Sequence, residues 1–139
     1  MNTREINELI IGSSYRIYNK MGFGFPEKVY RNCLLLELQK MNLQAEAHFP
    51  INTYYEGQLV GKFIADILVE KKIIVQIKSV GKIMPVSEEQ LVSYLAATQV
   101  ETGLIINFGE NKIDIIHKHR EQPSQTSLFV GSFLKSMNA

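Results

Sequence analysis

The chain has 139 residues, 45% of them hydrophobic and 21% charged; that suits one domain with its own core and argues against wholesale disorder. A net charge of +1 excludes a protein that holds nucleic acid by bulk charge, though not one that meets a few phosphates with a local patch. The single cysteine, Cys33, excludes an internal disulfide and a multi-cysteine zinc site.

The N-terminus reads MNTREINELI, without a basic-then-apolar leader, and no apolar run has the length of a membrane span, so a cytoplasmic protein with no membrane partner is expected. Thr3 to about Asn19 spaces Ile6, Leu9, Ile10 and Ile17 as an amphipathic helix, with Asn2 or Thr3 as cap. Gly22 and Gly24 break the pattern, and Pro26 suits the first position of a second helix running to about Met41 and burying Val29, Leu34, Leu35 and Leu38. Three strands follow, Phe49 to Tyr55, Leu59 to Val69 and Ile73 to Val80, with the polar segments Glu56 to Gln58 and Glu70 to Lys72 as hairpin turns. A loop from Gly81 to Val86 leads to a helix from Ser87 to about Thr98. Thr102 to Phe108 is a nearly continuous apolar run, the pattern of a buried central strand, and Lys112 to His117 is a last strand.

The order ααβββαββ predicts a single α/β domain, a mixed β-sheet flanked by helices, over residues 1–118. Residues 119–139 form a C-terminal extension, polar at first and then apolar at Leu128, Phe129, Val130, Phe133 and Leu134. Such a tail folds back on the domain or meets a partner, and it suits a homodimer.

Asp66, Gln76 and Lys78 are polar groups inside otherwise apolar strands, where an unpaired charge is costly. Gln76 and Lys78 are two apart and leave one face of their strand. If Glu70 to Lys72 is a three-residue turn, Val69 pairs with Ile73 and Asp66 falls opposite Gln76. A two-residue turn would put Asp66 opposite Ile77 and dissolve the cluster. A structural Asp66–Lys78 ion pair is the plain alternative to a site.

Glu27 at the start of the second helix favours the helix dipole, and Lys28 and Arg31 read as a solvated face. Gln90 and Tyr94, four apart, share a face of the third helix, where Ser87-x-x-Gln90 has the form of a capping box and Tyr94 could be ordinary core. His48, His117 and His119 share no metal-ligand spacing with the cysteine, and Cys33 reads as a small buried hydrophobe.

Taken together, Gly24-Phe-Pro-Glu27-Lys-Val-Tyr30, Asp66, Gln76-Ile-Lys78, Gln90-Leu-Val-Ser-Tyr94 and the stretch LIINFG resemble the GxxExxY protein family, a branch of the PD-(D/E)XK nuclease-like superfamily. The resemblance covers roughly Glu5 to Ile116 and implies a restriction-endonuclease-like core. It implies that Asp66 is the central metal-binding acid and that the Ile77 carbonyl is a further ligand. Lys78 would position the attacking water and stabilise charge on the phosphate, and Glu27 would be the helical acid that completes the metal site. Tyr30, Gln90 and Tyr94 would support the site or the nucleic acid.

A bound Mg²⁺ or Mn²⁺ would supply a nucleophile and relieve phosphate charge, and hard cations take oxygen ligands. Gln76 departs from the pattern, standing where the family has glutamate. An amide oxygen brings no negative charge and cannot act as a base, so metal binding weakens. Two functions are therefore expected from this sequence. One is a divalent-metal-dependent nuclease acting on nucleic acid, DNA before RNA; the other is an inactive nuclease fold kept as a nucleic-acid or protein interaction module.

Overall fold

The computed structural model describes residues 1–120. Helix α1 spans Thr3–Met21, and its Asn2 cap accepts the Glu5 backbone N–H at 2.9 Å, one of the donors a helix start leaves unpaired. Helix α2, Glu27–Lys40, begins one residue after Pro26 and buries Tyr30, Leu34 and Leu38. Then come β1 (Ala45–Tyr55), β2 (Gln58–Val69), β3 (Ile73–Lys78), α3 (Pro85–Thr98), β4 (Thr102–Phe108) and β5 (Ile113–His119). The five strands lie side by side in chain order, antiparallel except for β3 and β4, which are parallel and joined through α3. The ααβββαββ arrangement is the one the sequence predicts.

Helices cover both faces of the sheet. Ile6, Ile10 and Ile17 of α1 and Leu34 and Leu38 of α2 pack on Val69, Ile73, Val75, Ile77, Leu104 and Ile106. On the other face Leu91, Tyr94 and Leu95 of α3 pack on Leu68, Ile74 and Ile105. Every residue of β4 is buried, as a strand covered on both faces requires. At Gly103 of β4 an added Cβ would lie 2.6 Å from Leu91 Cδ1, so the missing side chain is what lets α3 sit this close.

Val69 pairs with Ile73, which settles the second turn at three residues. Lys72 N–H closes it on the Val69 carbonyl at 2.9 Å, with Glu70 and Lys71 both left-handed at φ 51° and 55°. Non-glycine residues resist that region. Lys71→Gly is therefore expected to raise stability by about 1 kcal/mol, read as a higher denaturant midpoint with an unchanged slope.

β5 pairs on to His119 opposite Thr102 rather than ending at His117, and three further boundaries differ from expectation for local reasons. β1 starts at Ala45, because Ala45 and Glu46 are recruited by pairing with Val69 and Leu68 rather than by their own propensity. β3 ends at Lys78, because the Asn107 side chain takes both backbone groups of Val80, each at 2.9 Å. Helix α3 begins at Pro85 with Met84 as N-cap and no side-chain capping bond, so the Ser87–Gln90 capping box does not form. A proline at the first helical position sets the start instead.

Among the described residues no helix is long and apolar enough to cross a membrane. The expectation for the apolar tail, Leu128 to Leu134, lies outside the described residues.

One feature places the site. β2 pairs with β3 only over Ile67–Val69, although β2 runs back to Gln58. Gln58 to Ala65 therefore has β1 on one side alone, and the β1–β2 hairpin projects as an arm. It exposes Tyr54, Tyr55, Leu59, Val60, Phe63 and Ile64.

Candidate functional site

Asp66 sits where β2 parts from β3. Past the Ile67–Val75 pair, side chains replace the backbone ladder. The Ile77 N–H donates to Asp66 Oδ2 at 2.7 Å, and the Asp66 N–H donates to Gln76 Oε1 at 2.8 Å. Gln76 is buried and so is committed to this junction. In the β1 partner, His48 falls opposite Asp66 between the Ala47–Ile67 and Phe49–Ala65 pairs, and its φ of 53° is left-handed. A non-glycine residue in that conformation within a strand marks an irregularity of the ladder, here beside the junction from which the arm departs.

The other carboxylate oxygen of Asp66 meets a cation, and it is not Lys78. Arg31 Nη1 lies 3.1 Å from Asp66 Oδ1, with side chains only 17% and 22% exposed. Arg31 comes from α2, one turn after Glu27. By sequence Arg31 reads as part of a solvated face and Lys78 as the plain structural partner of Asp66; the structure gives that pairing to Arg31. The spacing Glu27, Arg31, Leu34, Leu38 carried the signal, since it follows the buried stripe of α2 at helical period. Arg31 Nε is buried and has no hydrogen-bond partner among the described residues.

The other predicted residues make no hydrogen bond or ion pair with Asp66 or Arg31 among the described residues. Lys78 follows on the same strand, half-buried, and makes no ion pair among the described residues. Tyr94 is buried beside Phe63, ring centroids 5.7 Å apart. Burial, and then the Asp66 charge, push its hydroxyl above the ordinary tyrosine value, so it stays protonated next to the carboxylate. Gln90 is exposed on α3, and Glu27 is half-buried in the first turn of α2.

Tyr30 lies in the core, stacked on Phe108 at 4.3 Å. Its hydroxyl donates to the Gly22 carbonyl and accepts from Phe25 N–H, closing the loop between α1 and α2. Tyr30→Phe strands both backbone groups and is expected to cost about 2 kcal/mol, measured by chemical denaturation.

A divalent cation at Asp66 meets a poor donor set. Among the described residues no three of His, Cys, Asp and Glu gather to hold a metal ion. Gln76 brings no charge, its Oε1 already accepts the Asp66 N–H, and each Asp66 oxygen already accepts a donor. The guanidinium adds repulsion: near a protein surface two like unit charges about 4 Å apart cost about 4 kcal/mol, and a dication doubles that. With Arg31 in place the residues do not fit the metal that the resemblance implies. A surface cleft of about 550 Å³ lies elsewhere, lined by Leu35, Gln39 and Asn42 of α2 and its C-terminal turn and by Ala45 of β1; it brings no convergent chemistry to Asp66.

A family model described as the PD-(D/E)XK nuclease superfamily matches residues 4–119. No curated protein matches the chain. Among solved structures, the crystal structure of SSO0001 superposes with a TM-score of 0.52 at 21% identity, over 93% of this chain. The chain spans 64% of that protein's length. The likeness is one of fold.

Proposed function

The chain belongs to the PD-(D/E)XK nuclease superfamily, and we propose that within it this protein, of the GxxExxY branch, binds nucleic acid without hydrolysing it. The observation that carries this reading is the Arg31 guanidinium 3.1 Å from Asp66 Oδ1. It neutralises the acid around which a hydrolytic centre is built, while Gln76 supplies an amide where a second acid would stand. Superfamily membership supports nucleic acid as the partner, DNA before RNA. Lys78, unpaired among the described residues, exposed Lys28 and Lys82 and the aromatic arm supply the kinds of group that hold phosphates and stack on bases.

The test is a time course with labelled single-stranded, duplex and branched DNA and with RNA, in Mg²⁺ or Mn²⁺. Retarded mobility with intact strands is the expected result. Cleavage that disappears in both Asp66→Ala and Lys78→Ala would overturn the reading in favour of a metal-dependent nuclease. The melting temperature is likewise expected to be the same in Mg²⁺ and in EDTA, because nothing bound preferentially to the folded state is added.

A further inference from the structure

The geometry points to Arg31 as a built-in substitute for the divalent cation: one edge of its guanidinium is anchored on Asp66, and the remaining donors, with Lys78, seat a phosphate of the bound strand. The inference rests on the proposed binding of nucleic acid and names the group that holds it.

In a metal-dependent site a cation bridges protein carboxylate and substrate phosphate. A guanidinium can make the same bridge, since its five N–H donors lie in one plane and face two directions. Here one direction is taken: Nη1 donates to Asp66 Oδ1. Nη2 makes no hydrogen bond among the described residues, and Nε is a buried donor with no acceptor there. A buried donor without a protein acceptor is completed by an ordered water or by a bound group. The side chain keeps 17% of its surface open while Nε is itself closed to solvent, so an oxygen arriving from solvent meets Nη2.

Of the charges nearby, the Glu27 carboxylate, one turn before Arg31 on α2, opposes an anion, and the others agree with one. The Asp66 charge is already matched by Arg31, and Lys78 adds a cation without a carboxylate partner among the described residues. The protonated Tyr94 hydroxyl adds no charge. The orientation is fixed before any ligand arrives, because the Ile77 N–H pins the second oxygen of Asp66 at 2.7 Å. Asp66 is thus a positioning residue, and Arg31 is the one that touches the ligand.

Fluorescence anisotropy with a labelled DNA strand, titrated in EDTA and in Mg²⁺ at several salt concentrations, tests this. Equal affinity in the two buffers is expected for the wild type. Because Arg31→Gln alone leaves Asp66 unpaired, the informative protein is Arg31→Gln with Asp66→Asn, which removes both charges together. Its melting temperature should stay close to that of the wild type. Its affinity should fall about tenfold or more, and its salt dependence should drop by about one phosphate contact.

Wild-type affinity in that folded double variant would overturn the inference and leave the proposed function standing. Binding by the wild type in Mg²⁺ alone would also overturn it, because the cation would then be the metal. Absence of binding under every condition would remove both the inference and the reading beneath it.

Discussion

Arg31→Ala is expected to lower the stability of the fold by about 3 kcal/mol, and Asp66→Asn added beside it to return most of that loss. The pair is largely shielded, with 17% and 22% of the two side chains exposed. Removing the guanidinium therefore leaves a carboxylate in poorly hydrated surroundings, with a single backbone N–H from Ile77 for support. That places the cost at the lower end of the range for broken buried pairs. Asparagine keeps an oxygen for the Ile77 N–H and removes the charge. A double-mutant cycle by chemical denaturation measures the coupling; additive effects would mean that Arg31 and Asp66 do not depend on each other.

The second large effect is a gain. Arg31→Ala combined with Gln76→Glu is expected to create a divalent-metal site. The double variant places two carboxylates at the junction of β2 and β3 with no resident cation. Without metal it should be less stable than the wild type, through like-charge repulsion. At a hundredfold excess of Mg²⁺ or Mn²⁺ over its dissociation constant it should recover about 2.7 kcal/mol. Thermal melts with and without EDTA read this directly. Gln76→Glu alone should respond much less, because the guanidinium stays. An equal response in the single and double variants would show that Arg31 does not govern metal access.

Much of the scaffold was legible because a strong local pattern and the tertiary environment agreed. Thr102 to Phe108 is uniformly apolar and became the covered strand β4. Asn2 and the Ile6, Ile10, Ile17 spacing defined α1. The cluster of Asp66 and Gln76 followed from the length of one turn, and the Val69–Ile73 pair bears that out.

What stayed hidden depended on competition between local signals or on distant partners. Ser87 and Gln90 had the form of a cap, and Pro85 started the helix ahead of them. Val80 looked like strand, and the Asn107 side chain captured its backbone. Arg31 was the largest omission, and it bears most directly on function. A long basic side chain on a helix has the same spacing whether its head lies in water or on a carboxylate. Only the fold, by bringing α2 over the gap between β2 and β3, decides between them.

A cation supplied by the chain itself differs in kind from one borrowed from solution. It is present in a one-to-one ratio from synthesis, and no chelator strips it. Its effective concentration at Asp66 is set by the packing of α2 and does not follow the ionic makeup of the surroundings. A metal-dependent site follows how much magnesium or manganese is at hand; under the proposed reading the Arg31–Asp66 pair frees this site from that supply. Changing its occupancy takes either a mutation or a rearrangement of α2.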